Sequence, residues 1–371
     1  MTVPPPPNQW GSQPPTGGQP VGDVPQWGPN YPWGPPPGPS PRGGKGKWIF
    51  GGIALLAVIA VTVVITVLVV GNDSGGGESP TPTNGNGAEF ASVNDKGPVG
   101  IITDEPTCPA WNRIADQYVA AEGATQWRGR DASIPATAWT PDQRSMFESV
   151  GKAMDDTASQ TVDLVKVTPH RAVRELYEQF IAYARIFNQS VSDYKPDDNY
   201  LAGVVDGTGS ALVSICSAIT YDSAATQAPF VPKAPSPSKI SDPGDAANPQ
   251  RFLSSSDSVC SDWLSTYRKF DADTAEWRKV DPNRPATEWT PDEKALNDSV
   301  VPLMTAFADQ AEAIGGLSQN AVLQDWAMLS AQYRRAYVRA VPTYTPADNY
   351  LVSTSTYLAQ AINTACLAAG A

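Results

Sequence analysis

The stretch WRGRDASIPATAWTPDQ, residues 127–143, is answered by WRKVDPNRPATEWTPDE at residues 277–293. The same offset of 150 continues without a gap from 127–216 to 277–366, with 26 identities in 90 positions. So many identities in one register indicate a tandem duplication. The chain therefore carries one domain twice, and each structural prediction can be made in both copies.

The shared block ends where a helix begins. Thr140 and Thr290 are each followed by Pro, Asp and then Gln143 or Glu293, the pattern of a capping box with proline at the first helical position. Apolar residues elsewhere recur at intervals of three and four, and no alternating strand pattern is present. The sequence predicts a mainly α protein with two tandem four-helix domains. The expected helices span about 108–122, 141–165, 169–192 and 196–219, then about 260–276, 291–314, 319–341 and 346–368.

Two features weaken individual helices. Pro302 lies inside the second helix of repeat two and is expected to kink or split it, since proline removes one backbone hydrogen bond. Gly203, Gly207 and Gly209 lie in the fourth helix of repeat one, where each glycine costs roughly 1 kcal/mol relative to alanine. That helix is accordingly expected to be the least stable of the eight.

The four cysteines stand at matching ends of the two copies. An even, symmetric set is typical of disulfides in an oxidising compartment. Three pairings are open, but the duplication favours Cys108 with Cys216 and Cys260 with Cys366, because a unit that once folded alone carried its own bridge. In an up-down-up-down bundle the first helix begins where the fourth ends, so this pairing suits the helix count.

Residues 48–70, WIFGGIALLAVIAVTVVITVLVV, contain no charged side chain. As a helix they would extend roughly 34 Å, enough to cross the hydrocarbon core of a bilayer. Arg42, Lys45 and Lys47 precede them, and acidic residues follow, so the positive-inside rule places the repeats outside the cell. The alternative, a cleaved secreted form, fits less well because the stretch is long and no small-residue cleavage site follows. We predict a single-pass plasma-membrane protein with a cytoplasmic N-terminus.

Composition divides the remainder of the chain. Residues 1–44 contain fifteen prolines and too little apolar surface to fold, so we predict a disordered tail. Its Gln-Trp-Gly and Pro-Trp-Gly segments either bind a cytoplasmic partner or are simply solvated. The predicted organisation is a tail at 1–47, a transmembrane helix at 48–70, a flexible stalk at 71–107, helical repeat one at 108–220, a Pro-rich linker at 221–250 and helical repeat two at 251–371. An extended linker would let the repeats stay apart.

Charge and residue content exclude several functions. Residues 1–47 carry a net charge of +2 and the remainder −14, without a basic stripe, so we expect no nucleic-acid partner. His170 is the only histidine, and Asn320 takes its place in repeat two. A Ser-His-Asp or Cys-His site is therefore possible only in repeat one, where nothing marks a nucleophile. The sequence also contains no zinc cysteine cluster, phosphate loop or calcium-loop pattern. We expect no cofactor, no metal and no enzymatic activity.

Two shared blocks hold the candidate binding residues, around Trp-Thr-Pro-Asp and around Asp-Asn-Tyr-Leu. Exposed aromatic side chains there would suit a glycan or a peptide. The favoured interpretation is structural, with the tryptophans pinning a long loop to the bundle, because each residue already has a local role. The candidates are Trp127, Trp139, Trp277, Trp289, Tyr200 and Tyr350.

A shared arginine on the third helix is also placed by the repeat. Arg185 and Arg335 are expected to face Asp198 and Asp348, which lie at the start of the fourth helix, across an antiparallel hairpin. The alternative is that each arginine faces water.

The N-terminal residues resemble the Pro/Gly-rich, single-span envelope proteins of mycobacteria and related actinobacteria. The matching features are PPPP at 4–7, PWGPPPG at 32–38, the basic entry GGKGKW at 43–48 and the Val/Ile-rich span. The resemblance covers residues 1 to about 90 and implies an envelope location. It implies no activity and no site residues.

These features favour an envelope protein that displays two extracytoplasmic helical domains to bind a protein, a lipid or a glycan. An envelope hydrolase or cell-wall enzyme is the first alternative, and it would need a cleft with paired carboxylates. A sensor that signals to the Pro-rich tail is the second alternative. In the hydrolase hypothesis the only matched carboxylates among those weighed are Glu175 and Asp325.

Overall fold

The structure is a computed structural model that describes residues 90–371, so the predicted tail, the 48–70 span and the first part of the stalk lie outside the described residues. Its described part is all-helical and contains no strand, which confirms the mainly α prediction. Each repeat contributes four long helices, and one short helix follows repeat one. They are α1 (Cys108–Thr125), α2 (Pro141–Val167), α3 (Arg171–Ser190), α4 (Asn199–Thr220), α5 (Ser223–Gln227), α6 (Cys260–Asp273), α7 (Pro291–Leu317), α8 (Ala321–Ala340) and α9 (Asn349–Ala368).

Local sequence decides where α2 and α7 begin. The backbone N–H of Gln143 donates to Thr140 Oγ1 at 3.2 Å, and the Thr140 N–H donates to Gln143 Oε1 at 2.9 Å. Thr290 and Glu293 form the same capping box in repeat two. Of the two outcomes expected at Pro302, a split of α7 is wrong, because the helix continues through the proline, and a kink stays a prediction. Pro302 is exposed, so the carbonyl that loses its bond faces water rather than the core.

Both disulfides have the pairing that the duplication favours. Cys108 bonds to Cys216 with 5.3 Å between their Cα atoms, and Cys260 bonds to Cys366 with 5.5 Å. Each bridge joins the start of a repeat's first helix to the end of its fourth. The two ends of each bundle are therefore fixed at one place, as an up-down-up-down arrangement requires.

The two repeats pack against each other through α4 and α9, the most extensive helix–helix contact in the described part of the chain. The helices are antiparallel: the Tyr221 and Tyr350 rings stack at 5.4 Å, where α4 ends and α9 begins. A Cβ on Gly207 would lie 3.0 Å from the backbone of Ala361, so only glycine permits this approach. The glycines that seemed to weaken α4 instead create the junction between the repeats.

The same junction explains the hydropathy of α4. The segment Pro196–Thr220 is the one helix of the described residues that is long and apolar enough to cross a membrane, yet 72% of its apolar window is buried inside the protein. It packs on α3 within its own bundle and on α9 of the other repeat. We assign it to the protein core, since a helix between two bundles is apolar on most sides.

Residues 90–107, predicted as part of a flexible stalk, instead pack on the bundles. Phe90, Val99 and Ile102 are buried, and Thr107 Oγ1 lies 2.8 Å from the hydroxyl of Tyr177. The sequence prediction fails here because this stalk segment, although rich in small and polar residues, carries several large apolar side chains, and three of them are buried. We call residues 90–107 the leading segment.

The linker also lies on the bundles rather than holding them apart. Gln179 Nε2 in α3 donates to the carbonyl of Gln250 at 3.0 Å, and the N–H of Ser238 donates to Gln324 Oε1 in α8 at 3.0 Å. In the first residues of repeat two, the carbonyl of Leu253 accepts the hydroxyl of Tyr183 at 3.4 Å.

Each of the two shared tyrosines bonds to the segment that leads into the other repeat. Tyr183 of repeat one contacts the segment that leads into repeat two, as described above. Conversely, the hydroxyl of Tyr333 in repeat two accepts the N–H of Ile102, in the segment that leads into repeat one, at 3.2 Å. Each repeat therefore holds the approach to the other, and the described chain forms one compact unit.

Candidate functional site

The predicted tryptophans pack as structural pins within each repeat. Trp139 Nε1 donates to the carbonyl of Ile134 at 2.8 Å, and its ring stacks on Phe147 at 4.2 Å. Trp127 is buried and meets Phe147 edge to face at 5.0 Å, so the two tryptophans of repeat one share one cluster. This geometry favours the structural interpretation, because Trp127 is buried and the half-buried Trp139 is held by ring stacking and by its indole hydrogen bond.

Repeat two builds the equivalent aromatic cluster. Trp289 stacks on Tyr344 at 5.6 Å, and Trp277 meets Tyr337 at 5.9 Å. The indole N–H of Trp277 donates to Asn297 Oδ1 at 3.0 Å. Both ring contacts and the hydrogen bond are internal to the bundle of repeat two.

The predicted tyrosines lie elsewhere. Tyr350 stacks on Tyr221 at the repeat junction, and Tyr200 is half-buried in the first turn of α4. The six candidates therefore do not converge on a single binding surface.

The predicted Arg–Asp contacts across the α3–α4 and α8–α9 hairpins are wrong. Arg335 reaches α7 instead, with Nη2 2.8 Å from Asp309 Oδ1 and Nη1 bonded to Glu312. Arg185 likewise turns towards Asp155 on α2, at 3.8 Å. The acids of α2 and α7 compete successfully because the aspartates at the start of α4 and α9 are occupied with their own helix caps.

The charged residues that do converge lie where α3 of repeat one crosses α8 of repeat two. Arg171 has a side chain only 1% exposed, and it donates to Asp325 from Nε at 2.6 Å and from Nη2 at 3.2 Å. Its Nη2 also donates to the carbonyl of Gly97 at 3.0 Å. One guanidinium thus joins both repeats and the leading segment.

Glu175 lies beside this pair and is fully buried. Its carboxyl group is within hydrogen-bonding reach of Asp325, and its Oε1 accepts the hydroxyl of Ser241 in the linker. Glu175 and Asp325 occupy equivalent positions, 150 residues apart, so the carboxyl pair lies on the approximate twofold axis that relates the repeats. Below it Arg174 Nη1 donates to Glu178 Oε1 at 3.2 Å, and Arg174 Nη2 donates to the Ser241 carbonyl at 2.8 Å.

The electrostatics of the carboxyl pair follow from burial. Burial raises the pKa of Glu175 well above its ordinary value, and the adjacent Asp325 carboxylate raises it further, while Ser241 and Arg174 oppose the rise. Burial also raises the pKa of Asp325, against the effect of Arg171. We infer that Asp325 holds the negative charge, because the bidentate guanidinium favours its ionised form.

A cavity of about 180 Å³ adjoins the pair. Val99 of the leading segment, Ser238 of the linker and Gln324 and Asp325 of α8 contribute to its wall. The Ser238 N–H donates to Gln324 Oε1 at 3.0 Å, which ties the linker across this opening. Both oxygens of Asp325 are engaged by Arg171, and Glu175 has no exposed surface, so neither carboxyl group faces the cavity as a free acid or base. Among residues 90–371 no group of His, Cys, Asp and Glu could hold a metal ion.

Sequence reasoning identified Glu175 and Asp325 as matched carboxylates but not as neighbours. Equivalent positions in two repeats are usually far apart, and only a twofold arrangement brings them together. Two features bear on this arrangement: the shared Tyr183 and Tyr333, and the glycines of α4, two of which lie against Thr364 and Ala361 of α9.

The comparisons with known proteins fit the two-repeat body. A family model of mycobacterial ESX-1 associated proteins matches residues 90–370. The chain belongs to this family. It is also 44% identical over 347 residues to an uncharacterised protein of Mycolicibacterium smegmatis (strain MKD8), covering 92% of this chain and 91% of that protein. No solved structure matches. The family match begins at the leading segment, so the Pro/Gly-rich resemblance of residues 1 to about 90 stays a prediction.

Proposed function

We propose that this family member is an envelope protein whose paired repeats bind a protein component of ESX-1 on the extracytoplasmic side of the membrane. The observation that carries the proposal is the extent of the family match, which spans the leading segment, both repeats and the linker. These parts form one body, in which Tyr183, Tyr333 and Arg171 connect the repeats. The association that names the family is therefore attributed to the paired body rather than to a single repeat.

A binding role suits this body better than catalysis. Its buried ionisable groups at the repeat junction are bonded to one another, and the indoles of the aromatic clusters hold loops in place. A hydrolase would need an acid and a base that both reach a substrate. Glu175 and Asp325 would have to be released from Ser241 and Arg171 to serve in that way.

The proposed location rests on disulfides and on the 48–70 stretch. Two buried bridges are typical of domains that fold in an oxidising compartment. The uncharged stretch is the proposed anchor, with Arg42, Lys45 and Lys47 on its cytoplasmic side. Protease added to intact spheroplasts should remove the repeats and leave residues 1–47 protected. Protection of the repeats would contradict this orientation.

The partner is tested by crosslinking in living cells. The tagged full chain is crosslinked from outside intact cells, purified under denaturing conditions and analysed by mass spectrometry. We expect ESX-1 components among the enriched proteins, and we expect them to vanish in a Cys108→Ser/Cys216→Ser variant that is still displayed. A tagged single-span protein with an unrelated extracytoplasmic domain is the background control. Equal recovery of ESX-1 components with that control would overturn the proposal.

A further inference from the structure

The carboxyl pair between the repeats leaves one buried oxygen without a donor. Glu175 has no exposed surface, and its Oε2 receives no N–H or O–H from any described residue. Such an atom is unfavourable when it remains unsatisfied, because it has lost its hydrogen bonds to water without replacing them. Its neighbour is the carboxyl group of Asp325. Two ionised carboxylates can only accept hydrogen bonds, so a bond between them requires that one of the two carries a proton.

The surrounding charges indicate how many protons are needed. The fully buried cations around the pair are Arg171 and Arg174. Arg171 bonds to Asp325, whereas Arg174 bonds to Glu178 at 3.2 Å and lies farther from Glu175, at 4.0 Å. Asp95 of the leading segment lies at the edge with a side chain 34% exposed, 3.9 Å from Arg171. Lys239 of the linker turns away to Gln319. The buried set is therefore balanced only if Glu175 is neutral.

We propose that Glu175 and Asp325 form a site that binds one proton and thereby holds the two repeats together. The proton resides on Glu175 Oε2 and is donated to Asp325, whose charge Arg171 maintains. When the proton leaves, two buried carboxylates face each other between α3 and α8. Their repulsion favours separation of the crossing, which also releases Ser241 of the linker and the leading segment held by Arg171.

The direction of the pH effect follows from the raised pKa of Glu175. The folded chain keeps a proton that the unfolded chain releases above its ordinary value of 4.5, so the junction is tightest at low pH and weakens as pH rises. No co-reactant is involved, because the step is the gain or loss of a proton from water.

Hydrogen exchange of the full chain in lipid nanodiscs tests the site. After correction for the intrinsic pH dependence of exchange, protection of residues 95–102 and 238–253 should fall at least tenfold between about pH 5.5 and pH 8.5, equivalent to about 1.4 kcal/mol. Glu175→Gln fixes the neutral form, so its protection should stay at the low-pH level throughout. Glu122→Gln is the matched control, since Glu122 is another buried acid with a raised pKa, and it lies in α1 rather than at the crossing of α3 and α8.

Two outcomes would overturn the proposal. The first is protection in the wild-type chain that does not change with pH. The second is a Glu175→Gln chain with the same pH dependence as wild type. If Glu175→Gln does not fold, the wild-type series still decides, and Asp325→Asn should lower protection at every pH because Arg171 loses its buried anion.

Discussion

Where repeat one buries two carboxyl groups between its first and fourth helices, repeat two buries a guanidinium in the same corner. In repeat one Glu122 of α1 lies near Asp206 of α4, and the hydroxyl of Tyr118 bonds to both. Burial, followed by the charge of Asp206, raises the pKa of Glu122 to about 8. Burial also raises the pKa of Asp206.

Repeat two has Thr274 and Thr356 at the positions of those acids, and Arg334 where repeat one has alanine. Arg334 is fully buried and lies over the rings of Phe270 and Phe307, at 4.5 and 4.8 Å. Burial lowers the pKa of Arg334 to about 9, so the guanidinium stays charged at neutral pH. Its Nε donates to Ser355 Oγ at 2.9 Å.

The difference shows which parts of the repeat determine its fold. The helix caps, the disulfide and the aromatic pins are common to both copies. The ionisable groups buried in the corner between the first and fourth helices are acidic in repeat one and basic in repeat two. Each charge is accommodated by its own chemistry: a carboxyl group can take up a proton, while a guanidinium keeps its charge and gains from aromatic faces. The shared framework must therefore be stable enough to tolerate either solution.

The largest effect should come from the disulfides, the part of the framework that both repeats share. Replacing either cysteine pair by serine should lower the free energy of unfolding by about 4 kcal/mol, because loops of 108 and 106 residues lose nearly the same closure entropy. Urea titration of the two variants checks this. A loss confined to one repeat would mean that the copies do not depend equally on the shared framework.

The fold was largely predictable from sequence, and the site was not. The capping boxes at Thr140 and Thr290 predict where two helices begin, because this signal is local. The duplicated cysteines indicate their pairing, because the same positions recur in both repeats. Contacts between the repeats depend on long-range packing that no window of sequence contains. The glycines of α4 therefore suggested weakness, and the matched pair Glu175 and Asp325 gave no sign of meeting.

The next effect concerns the contact between α4 and α9 rather than the core of either repeat. Gly207→Ala should destabilise the chain by about 1–3 kcal/mol, because its Cβ would lie 3.0 Å from the backbone of Ala361. Gly123→Ala is the matched control: it lies in α1 with no atom within 4 Å and should stabilise by about 0.5–1 kcal/mol. Thermal unfolding measures both. Equal shifts for the two variants would mean that α4 and α9 are not in close contact in solution.

A smaller effect is the pH dependence of the free energy of unfolding, which should distinguish the core of repeat one from that of repeat two. Because the folded-state pKa of Glu122, about 8, exceeds the ordinary 4.5, the folded chain retains a proton that the unfolded chain releases in this range. Stability is full below pH 4.5 and is lost as pH rises towards 8. Glu122→Gln should therefore stabilise by about 1–2 kcal/mol near pH 7.5 and hardly at all near pH 4.5.

The control in repeat two is Glu288→Gln, which makes the same chemical change at an exposed acid. It should alter stability by less than about 0.5 kcal/mol at either pH. Denaturant titration at the two pH values provides the comparison. If Glu122→Gln gave the same gain at both, the carboxyl group would not be carrying a proton in the folded core.

The smallest effect distinguishes the shared arginines of α3 and α8. Arg335 lies between Asp309 and Glu312, whereas Arg185 has Asp155 at 3.8 Å and bonds to the Ala247 carbonyl of the linker. Arg335→Gln should cost about 0.5–1 kcal/mol at low salt and much less in about 1 M NaCl, because the pairs are partly exposed and therefore screened. Arg185→Gln should cost less than about 0.5 kcal/mol, with little dependence on salt, since its better partner is a neutral carbonyl. Denaturant titrations at two salt concentrations measure the difference, and an equal salt dependence in both variants would show that the two arginines are held by the same kind of contact.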